Sequence, residues 1–419
     1  NPLDISELMW DNNIRLIERY VFMDQNNKLE FVATCLFGLE SLLGEEIEAL
    51  GYEKTETIDG RVTFVGDEAA IARCNINLRF AERLYIKMGS FPARTFAELF
   101  DGTNSLPWER WIGQDDAFPV KGHSIKSGLT SIPDCQSIVK KAIVNRLSDE
   151  YEIKWFKEEG VKYQIEFFIL RDIATLMIDT SGTPLHKRGY RPAAGEAPLR
   201  ETLAAAMVKI SRPRDEVLLW DPFCGSGTIA IEAAMMMTNT APGLGRNFAA
   251  EEFYDLPEKI WKDAREEAMS MKRETQFEVY ASDIDQHMVD LARANIRRAD
   301  MGAHIKCFQR NATEIVKADR RATIVCNPPY GERLMNDTGV AKLYHDMGVC
   351  FSKLAPWQIY ILSSVPDFEK LYGRRADKVR TLYNGMIKCG FYQYFKNDDY
   401  KKNNHGGRDF KKPSGRTER

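Results

Sequence analysis

The sequence predicts an α/β chain whose C-terminal half winds helices around a mostly parallel sheet, after an N-terminal α+β region. Three stretches carry that prediction. Leu218-Leu219-Trp220-Asp221 is an apolar run ending in an acid, followed by Pro222-Phe223-Cys224-Gly225-Ser226-Gly227-Thr228 and an alanine-rich segment from Ile229 to Ala234. That order reads as a buried parallel strand, a tight turn and a helix entry. Val279-Tyr280-Ala281-Ser282-Asp283-Ile284-Asp285 is a second apolar run with a terminal acid, and Ile324-Val325-Cys326 a third, ending in Asn327-Pro328-Pro329-Tyr330. Gly225 and Gly227 lack a Cβ, so the loop can bend sharply and let a ligand lie against its N–H groups and the helix N-terminus. The two prolines fix the backbone and remove two N–H groups, which leaves carbonyls near Pro328 free and sets the directions of the Asn327 amide and the Tyr330 ring. A glycine turn alone serves many α/β domains merely to reverse the chain; three such strand ends in this order say more.

Length and composition bound the rest. At 419 residues the chain has room for two or three domains, and 44% hydrophobic with 28% charged residues marks a globular protein. The formal net charge of -3 does not advertise nucleic-acid binding, so any basic surface must be local. Eight cysteines are scattered without a Cys-x-x-Cys pair, and six histidines are well separated, so reduced, buried thiols are expected and no metal. The polar start, Asn1 to Arg19, does not read as a secretory signal, and no apolar run reaches membrane-spanning length. The expected compartment is cytoplasmic.

Residues 1–28 read either as an extension ahead of a start near Met23 or as a helix from Ile5 to Tyr20. From Leu29 the order is strand (29–35), helix (38–50), strand (61–65), helix (67–78) and strand (82–89), an alternation that suggests a small ferredoxin-like unit over residues 29–105. A loop with Pro107, Trp108 and Trp111 leads to a second unit, residues 106–182. It comprises a strand from Ala117 to His123, the Lys126-Ser127-Gly128 loop, a helix from Pro133 to Leu147, and strands 164–170 and 173–179. In that helix Ile138, Ala142, Ile143 and Leu147 form an apolar stripe and Lys140, Lys141 and Arg146 the polar face. On charge alone Lys121, Lys126, Lys140 and Lys141 read as a solvated strand edge and helix face.

The connector Leu185-His186-Lys187-Arg188-Gly189-Tyr190-Arg191-Pro192 is dense in basic and aromatic groups, and Pro198 suits a first helical turn. Residues 183–395 then give strand (217–220), glycine turn, helix (228–237), a long irregular piece, helix (257–271), strand (277–282), helix (285–299), strand (304–309), strand (322–326), helix (338–354) and strand (357–363). Asn384-Gly385 between apolar runs is a type I′ hairpin signal, so an antiparallel hairpin closes a mostly parallel sheet. Asp221 and Asp283 lie roughly 60 residues apart, where a simple βαβ unit places the second acid about 20 residues on. The excess falls in Thr238 to Met271, with its Ala241-Pro242-Gly243-Leu244-Gly245 stretch. The tail, 396–419, holds twice as many Lys and Arg as Asp and Glu and reads as disordered.

These strand ends resemble the Rossmann-like class I S-adenosylmethionine-dependent methyltransferases that modify an exocyclic amine. The layout of 29–182 resembles a ferredoxin-like domain followed by a THUMP domain, on the strength of Phe118-Pro119-Val120-Lys121-Gly122-His123-Ser124-Ile125-Lys126-Ser127 and the Lys140-Lys141 helix. The Pro-Gly-Leu insertion is similar to one in bacterial methyltransferases that form N(2)-methylguanosine in large-subunit ribosomal RNA. The resemblance implies S-adenosylmethionine as cofactor and RNA, specifically 23S ribosomal RNA, as partner. It places the cofactor across Asp221, Phe223, Cys224, Gly225, Ser226, Gly227 and Thr228 for its methionine end. Asp283 would take the ribose hydroxyls, Ile284 and Asn311-Ala312 the adenine, and Asn327 would border the donor. Catalysis would fall to Asn327, Pro328, Pro329 and Tyr330, two oxygen acceptors and a stacking ring around the target amine. Lys121, Lys126, Lys140 and Lys141 would touch RNA phosphates, with Lys187, Arg188, Tyr190 and Arg191 facing substrate. A DNA adenine or protein glutamine methyltransferase would need the same Asn-Pro-Pro-Tyr, and an RNA-binding assembly factor could keep the fold without the activity.

Overall fold

The computed structural model describes residues 28–192, 199–317, 319–330 and 337–396. The expected N-terminal helix, the first turn at Pro198 and the basic tail beyond Lys396 lie outside the described residues.

In chain order the elements are β1 (Leu29–Cys35), α1 (Glu40–Ala49), β2 (Glu53–Ile58), β3 (Arg61–Gly66), α2 (Ala69–Asn77), β4 (Ala81–Pro92), α3 (Phe96–Asn104), β5 (Val120–Ile125), α4 (Ile132–Tyr151), β6 (Ile165–Leu170) and β7 (Ile173–Asp179). Then come α5 (Glu201–Ser211), β8 (Leu218–Asp221), α6 (Thr228–Met237), α7 (Glu258–Ser270), β9 (Val279–Asp283), α8 (Gln286–Arg298), β10 (Ile305–Gln309), β11 (Ala322–Cys326), α9 (Asp337–Ser352), β12 (Gln358–Ser363), α10 (Phe368–Tyr372), β13 (Lys378–Asn384) and β14 (Ile387–Tyr394). They form two compact units, one taking the chain through Ala206 together with Thr238–Glu274, the other Met207–Met237 and everything from Thr275.

In the first unit β1 to β7 make one continuous seven-stranded sheet, order β2-β3-β1-β4-β7-β6-β5. The ferredoxin-like and THUMP-like stretches are therefore not separate sheets: β4 pairs antiparallel with β7 from Tyr85 opposite Asp179 to Pro92 opposite Ile173. Two elements of this unit escaped the sequence reading. β2 is an edge strand with no buried residue, so no alternation announces it. α3 begins with a capping box, Thr95 accepting from the Glu98 N–H, in what read as loop.

The long excursion between α6 and β9 belongs to this unit. Gly243 donates its N–H to the Ile76 carbonyl at 2.8 Å, and a Cβ there would fall 2.7 Å from backbone atoms of α2, so only glycine lets the chains approach this closely. Arg73 of α2 holds both carboxylate oxygens of Glu267 on α7 at 2.7 and 2.8 Å. Buried Asn75 joins Thr180 and Ser181. The excursion thus buries its apolar side against α2 rather than standing alone as a loop.

The second unit is an α/β sheet, order β10-β9-β8-β11-β12-β14-β13, parallel from β10 through β12 and closed by the antiparallel β13–β14 hairpin. Its interior strand β8 is wholly buried, as parallel strands covered on both faces are. Trp220, Tyr344, Phe351, Trp357, Phe368 and Tyr392 anchor the core on one side of it. α9 and α10 pack there so closely that a Cβ on Gly348 would fall on the Tyr372 carbonyl oxygen. Gly348→Ala should therefore lower stability by about 1–3 kcal/mol, the range for overpacking; an unchanged urea midpoint would contradict it.

Candidate active site

Register gathers the site. Asp221 stands opposite Ala281, Gln309 opposite Asp283 and Ile324 opposite Trp220, so the carboxyl ends of β8, β9, β10 and β11 lie along one edge of the sheet. Asp221, Asp283, Asn311 and Asn327 all follow these strand ends, the edge where open α/β sheets bind ligands.

The turn after β8 is built on two glycines in the left-handed region, Gly225 at φ +48° and Gly227 at φ +85°. At Gly227 a Cβ would also meet the Ala292 methyl of α8 at 3.2 Å, whereas at Gly225 it would meet open space. Gly227 is needed by the fold; Gly225 leaves clearance above the turn. The Cys224 N–H donates to the Ser282 carbonyl at 2.9 Å, and Asn295 of α8 donates to the Ser226 carbonyl at 2.9 Å. Phe223 and Ser226 are partly exposed, while Cys224 and Thr228 are buried.

Asp283 is clasped from both sides. One carboxylate oxygen accepts the Gly225 N–H at 3.0 Å and the other the Asp285 N–H at 3.1 Å. A carboxylate has about four acceptor positions, so capacity remains for two further donors. Beside it Ile284 is 66% exposed, an apolar surface at the mouth of the site. Asp221 is 1% exposed, and its carboxylate accepts the Phe223 N–H at 3.1 Å. Burial, aided by the nearby Asp283 charge, pushes its carboxyl well above the usual carboxylate range.

Asn327 follows buried β11, and its side-chain oxygen is buried without a hydrogen-bond partner among the described residues. An orphaned acceptor costs about 1–3 kcal/mol, so it is a place where a donor-bearing ligand would be welcomed. Around it the backbone is held. Tyr344 of α9 donates its hydroxyl to the Pro329 carbonyl and sits 3.0 Å from Ser363. Asn384, last residue of β13, donates to the Tyr330 hydroxyl at 2.9 Å. Sequence reasoning missed both supports: Asn384 read as turn chemistry alone, and Tyr344 carries no signal within its apolar helix.

Other nominated residues fare differently. Asn311 spends its side-chain oxygen on the N–H and hydroxyl of Thr313, capping a 3-10 turn in which Ala312 is buried, so its oxygen is not left open for an adenine amine. Arg188 is 4% exposed and donates to the carbonyls of Leu185 and Arg79. Tyr190 is buried, and Arg191 pairs with Glu201 at 2.6 Å. These three brace the connector rather than present themselves to a substrate. Lys140 is also engaged: its ammonium meets the Phe118 carbonyl, Glu158 and the Phe118 ring face at 3.4 Å. Lys121, Lys126, Lys141 and Lys187 are exposed. Among the described residues no group of three or more His, Cys, Asp or Glu could hold a metal ion, and no helix is long and apolar enough to cross a membrane.

The Asp221 shift makes a stability prediction. Its folded pKa lies above the unfolded value, so the group stabilises fully below about pH 4 and that contribution is lost as pH rises toward the folded value. Each unit of elevation costs about 1.4 kcal/mol above it. Asp221→Asn should match wild type near pH 4 and exceed it at pH 7 in urea denaturation; equal stability at both would refute the buried-acid assignment.

The chain has relatives among known proteins. A model described as the RMKL-like methyltransferase domain matches residues 188–393, the RlmL ferredoxin-like domain matches 30–85 and the THUMP domain matches 93–179. The Bacillus subtilis (strain 168) protein named "Putative RNA methyltransferase YpsC" is 43% identical, over 88% of this chain and 96% of its own length. The ribosomal RNA large subunit methyltransferase K/L of Psychromonas ingrahamii is 33% identical over 85% of this chain, which spans 49% of that longer protein. The crystal structure of SMU.472, solved in complex with SAH, superposes with a TM-score of 0.83 at 40% identity, covering 89% of this chain and 99% of that one. The chain belongs to the RMKL-like methyltransferases that carry an RlmL ferredoxin-like domain and a THUMP domain, class I enzymes whose methyl donor is S-adenosylmethionine.

Proposed function

We propose that this protein methylates the exocyclic N2 amine of a guanine in large-subunit ribosomal RNA. The unpartnered, buried Asn327 oxygen at the carboxyl end of β11 carries the reading. The THUMP domain and the similarity to a large-subunit methyltransferase favour RNA over DNA or protein. On this reading the compartment is the cytoplasm.

The residues fit the donor. Asp283 has acceptor capacity for both ribose hydroxyls, Ile284 offers a face to adenine, and the Gly225 turn leaves room for the methionine end. Asp221, kept neutral by burial, would ionise beside an ammonium group, which repays its desolvation. S-adenosylmethionine supplies an electrophilic methyl group on a sulfonium. Asn327 and the Pro328 carbonyl accept the two hydrogens of the target amine, which draws its lone pair out of the ring and stabilises charge growing on nitrogen. Tyr330, its hydroxyl fixed by Asn384, presents a ring on which an extruded base stacks. The amine loses one proton to solvent after transfer, so no strong general base is needed, and most of the acceleration is orientation. Exposed Lys121, Lys126, Lys141 and Lys187 are the candidates for RNA phosphate contact.

Asn327→Ala should cut methyl transfer to RNA by at least ~10²-fold while leaving S-adenosylmethionine affinity nearly intact; transfer at the normal rate would sink the assignment. Asp283→Ala should weaken donor binding by about 10- to 100-fold in calorimetry, the worth of hydrogen bonds to a charged group. Nucleoside mass spectrometry of ribosomal RNA from a deletion strain should lack one N(2)-methylguanosine. Loss of methyladenine instead would transfer the assignment to adenine.

A further inference from the structure

The opposite edge of the same sheet carries a second cluster of chemistry. A cavity of about 270 Å³ opens at the amino ends of β8, β11 and β12. Its walls hold Arg212 and Arg214 from the turn before β8, Lys317 and Arg321 from the approach to β11, and Arg320, against one acid, Asp319. Arg320 is committed to Glu278 at 2.6 Å. The side chains of Arg212, Arg214, Lys317 and Arg321 have no hydrogen-bond or ion-pair partner among the described residues.

Four unpaired cations around one concavity, in a chain of net charge -3, make a local positive potential that low-dielectric walls focus. The floor is rigid. Trp357 is 6% exposed and its indole N–H donates to the Arg320 carbonyl at 3.0 Å, fixing the loop that bears the basic residues. Arg212 itself sits in the left-handed region at φ +52°, just past the end of α5, where glycine is the cheaper residue. Guanidinium groups match phosphate oxygens bidentately and are only weakly hydrated, so three arginines and a lysine favour phosphate over carboxylate or halide.

We propose that this cleft binds phosphodiester groups of the RNA substrate, a contact remote from the methyl-transfer edge. The inference rests on the RNA-methyltransferase reading above and deepens it. RNA running over the amino edge of the sheet would gain sequence-independent affinity there, while the carboxyl edge acts on the base. Phosphate contacts of this kind set register and orientation, and they leave the reading of the base to the site that modifies it.

The test compares the full-length protein with Arg212→Glu/Arg214→Glu and with a single charge reversal outside the cleft, Lys370→Glu, using a long ribosomal RNA fragment. The double variant should bind RNA at least ~10-fold more weakly at moderate salt. Its slope of log affinity against log salt should be shallower by about 1.5, as expected on losing two phosphate contacts. Affinity for S-adenosylmethionine should not move, and Lys370→Glu should behave as wild type. Unchanged RNA affinity and salt slope would overturn the proposal. If the double reversal fails to fold, the milder Lys317→Gln/Arg321→Gln must show the same shallower slope, and its absence there overturns the proposal too. Protection of the cleft by inorganic phosphate, with RNA affinity independent of these residues, would overturn the RNA assignment in favour of a small phosphate compound. Wild-type protein that binds RNA through the cleft but never methylates it would refute the proposed activity and leave this inference standing.

Discussion

Everything at the proposed methyl-transfer edge depends on parallel pairing around β8. The strand has β9 on one side and β11 on the other, and because all three run the same way their acid- and amide-bearing ends emerge together. An antiparallel neighbour would have sent one of those ends to the far side. Two N–H groups then hold Asp283, and one of them comes from the glycine turn after β8. The turn and the acid are thereby one object, fixed by hydrogen bonds between adjacent strand ends.

A tension runs through that object. Among the described residues, Asp221 is buried without a cation and the Asn327 oxygen without a donor. Both are unfavourable in the protein by itself, and on the proposed reading both would be relieved by a ligand bearing an ammonium group and an amine. On that reading, stability is withheld at the positions where binding and transition-state contacts would recover it, a common arrangement in enzyme sites. The neighbouring supports show the opposite pattern. Tyr344, Ser363, Asn384 and Asn295 are each hydrogen-bonded to main chain or side chains, which leaves little freedom to the Pro-Pro backbone or the glycine turn.

What the sequence disclosed follows from how local each signal is. Asp221, Asp283 and Asn327 were legible because each ends an apolar run, and strand ends in a parallel sheet have a fixed place. The hairpin was legible from Asn384-Gly385, but its turn type was not: Asn384 pairs with Ile387, so the loop is Gly385-Met386 with Gly385 at φ +64° and Met386 outside the left-handed region, not type I′. The basic residues were not, because exposure is decided by partners distant in sequence. Arg188 looks identical to Lys187 in a list of charges, yet its guanidinium fills a cage of carbonyls from Leu185 and Arg79. Lys140 has a polar-face position on α4 but lies over the Phe118 ring. Asn311 was readable as an acceptor, though not as one already consumed by Thr313. Arg212 and Arg321 lie over 100 residues apart and share a cleft only because β8 and β11 are neighbours.

The excursion between α6 and β9 has a consequence for biogenesis. Thr238–Glu274 completes the N-terminal unit through Arg73–Glu267 and Gly243–Ile76, so that unit is unfinished when its first two hundred residues leave the ribosome. The nascent chain must wait for α7, and by then β8 and the glycine turn have already been synthesised. The two units are threaded through each other in time, and a protease cutting a single linker could not release either as a finished whole.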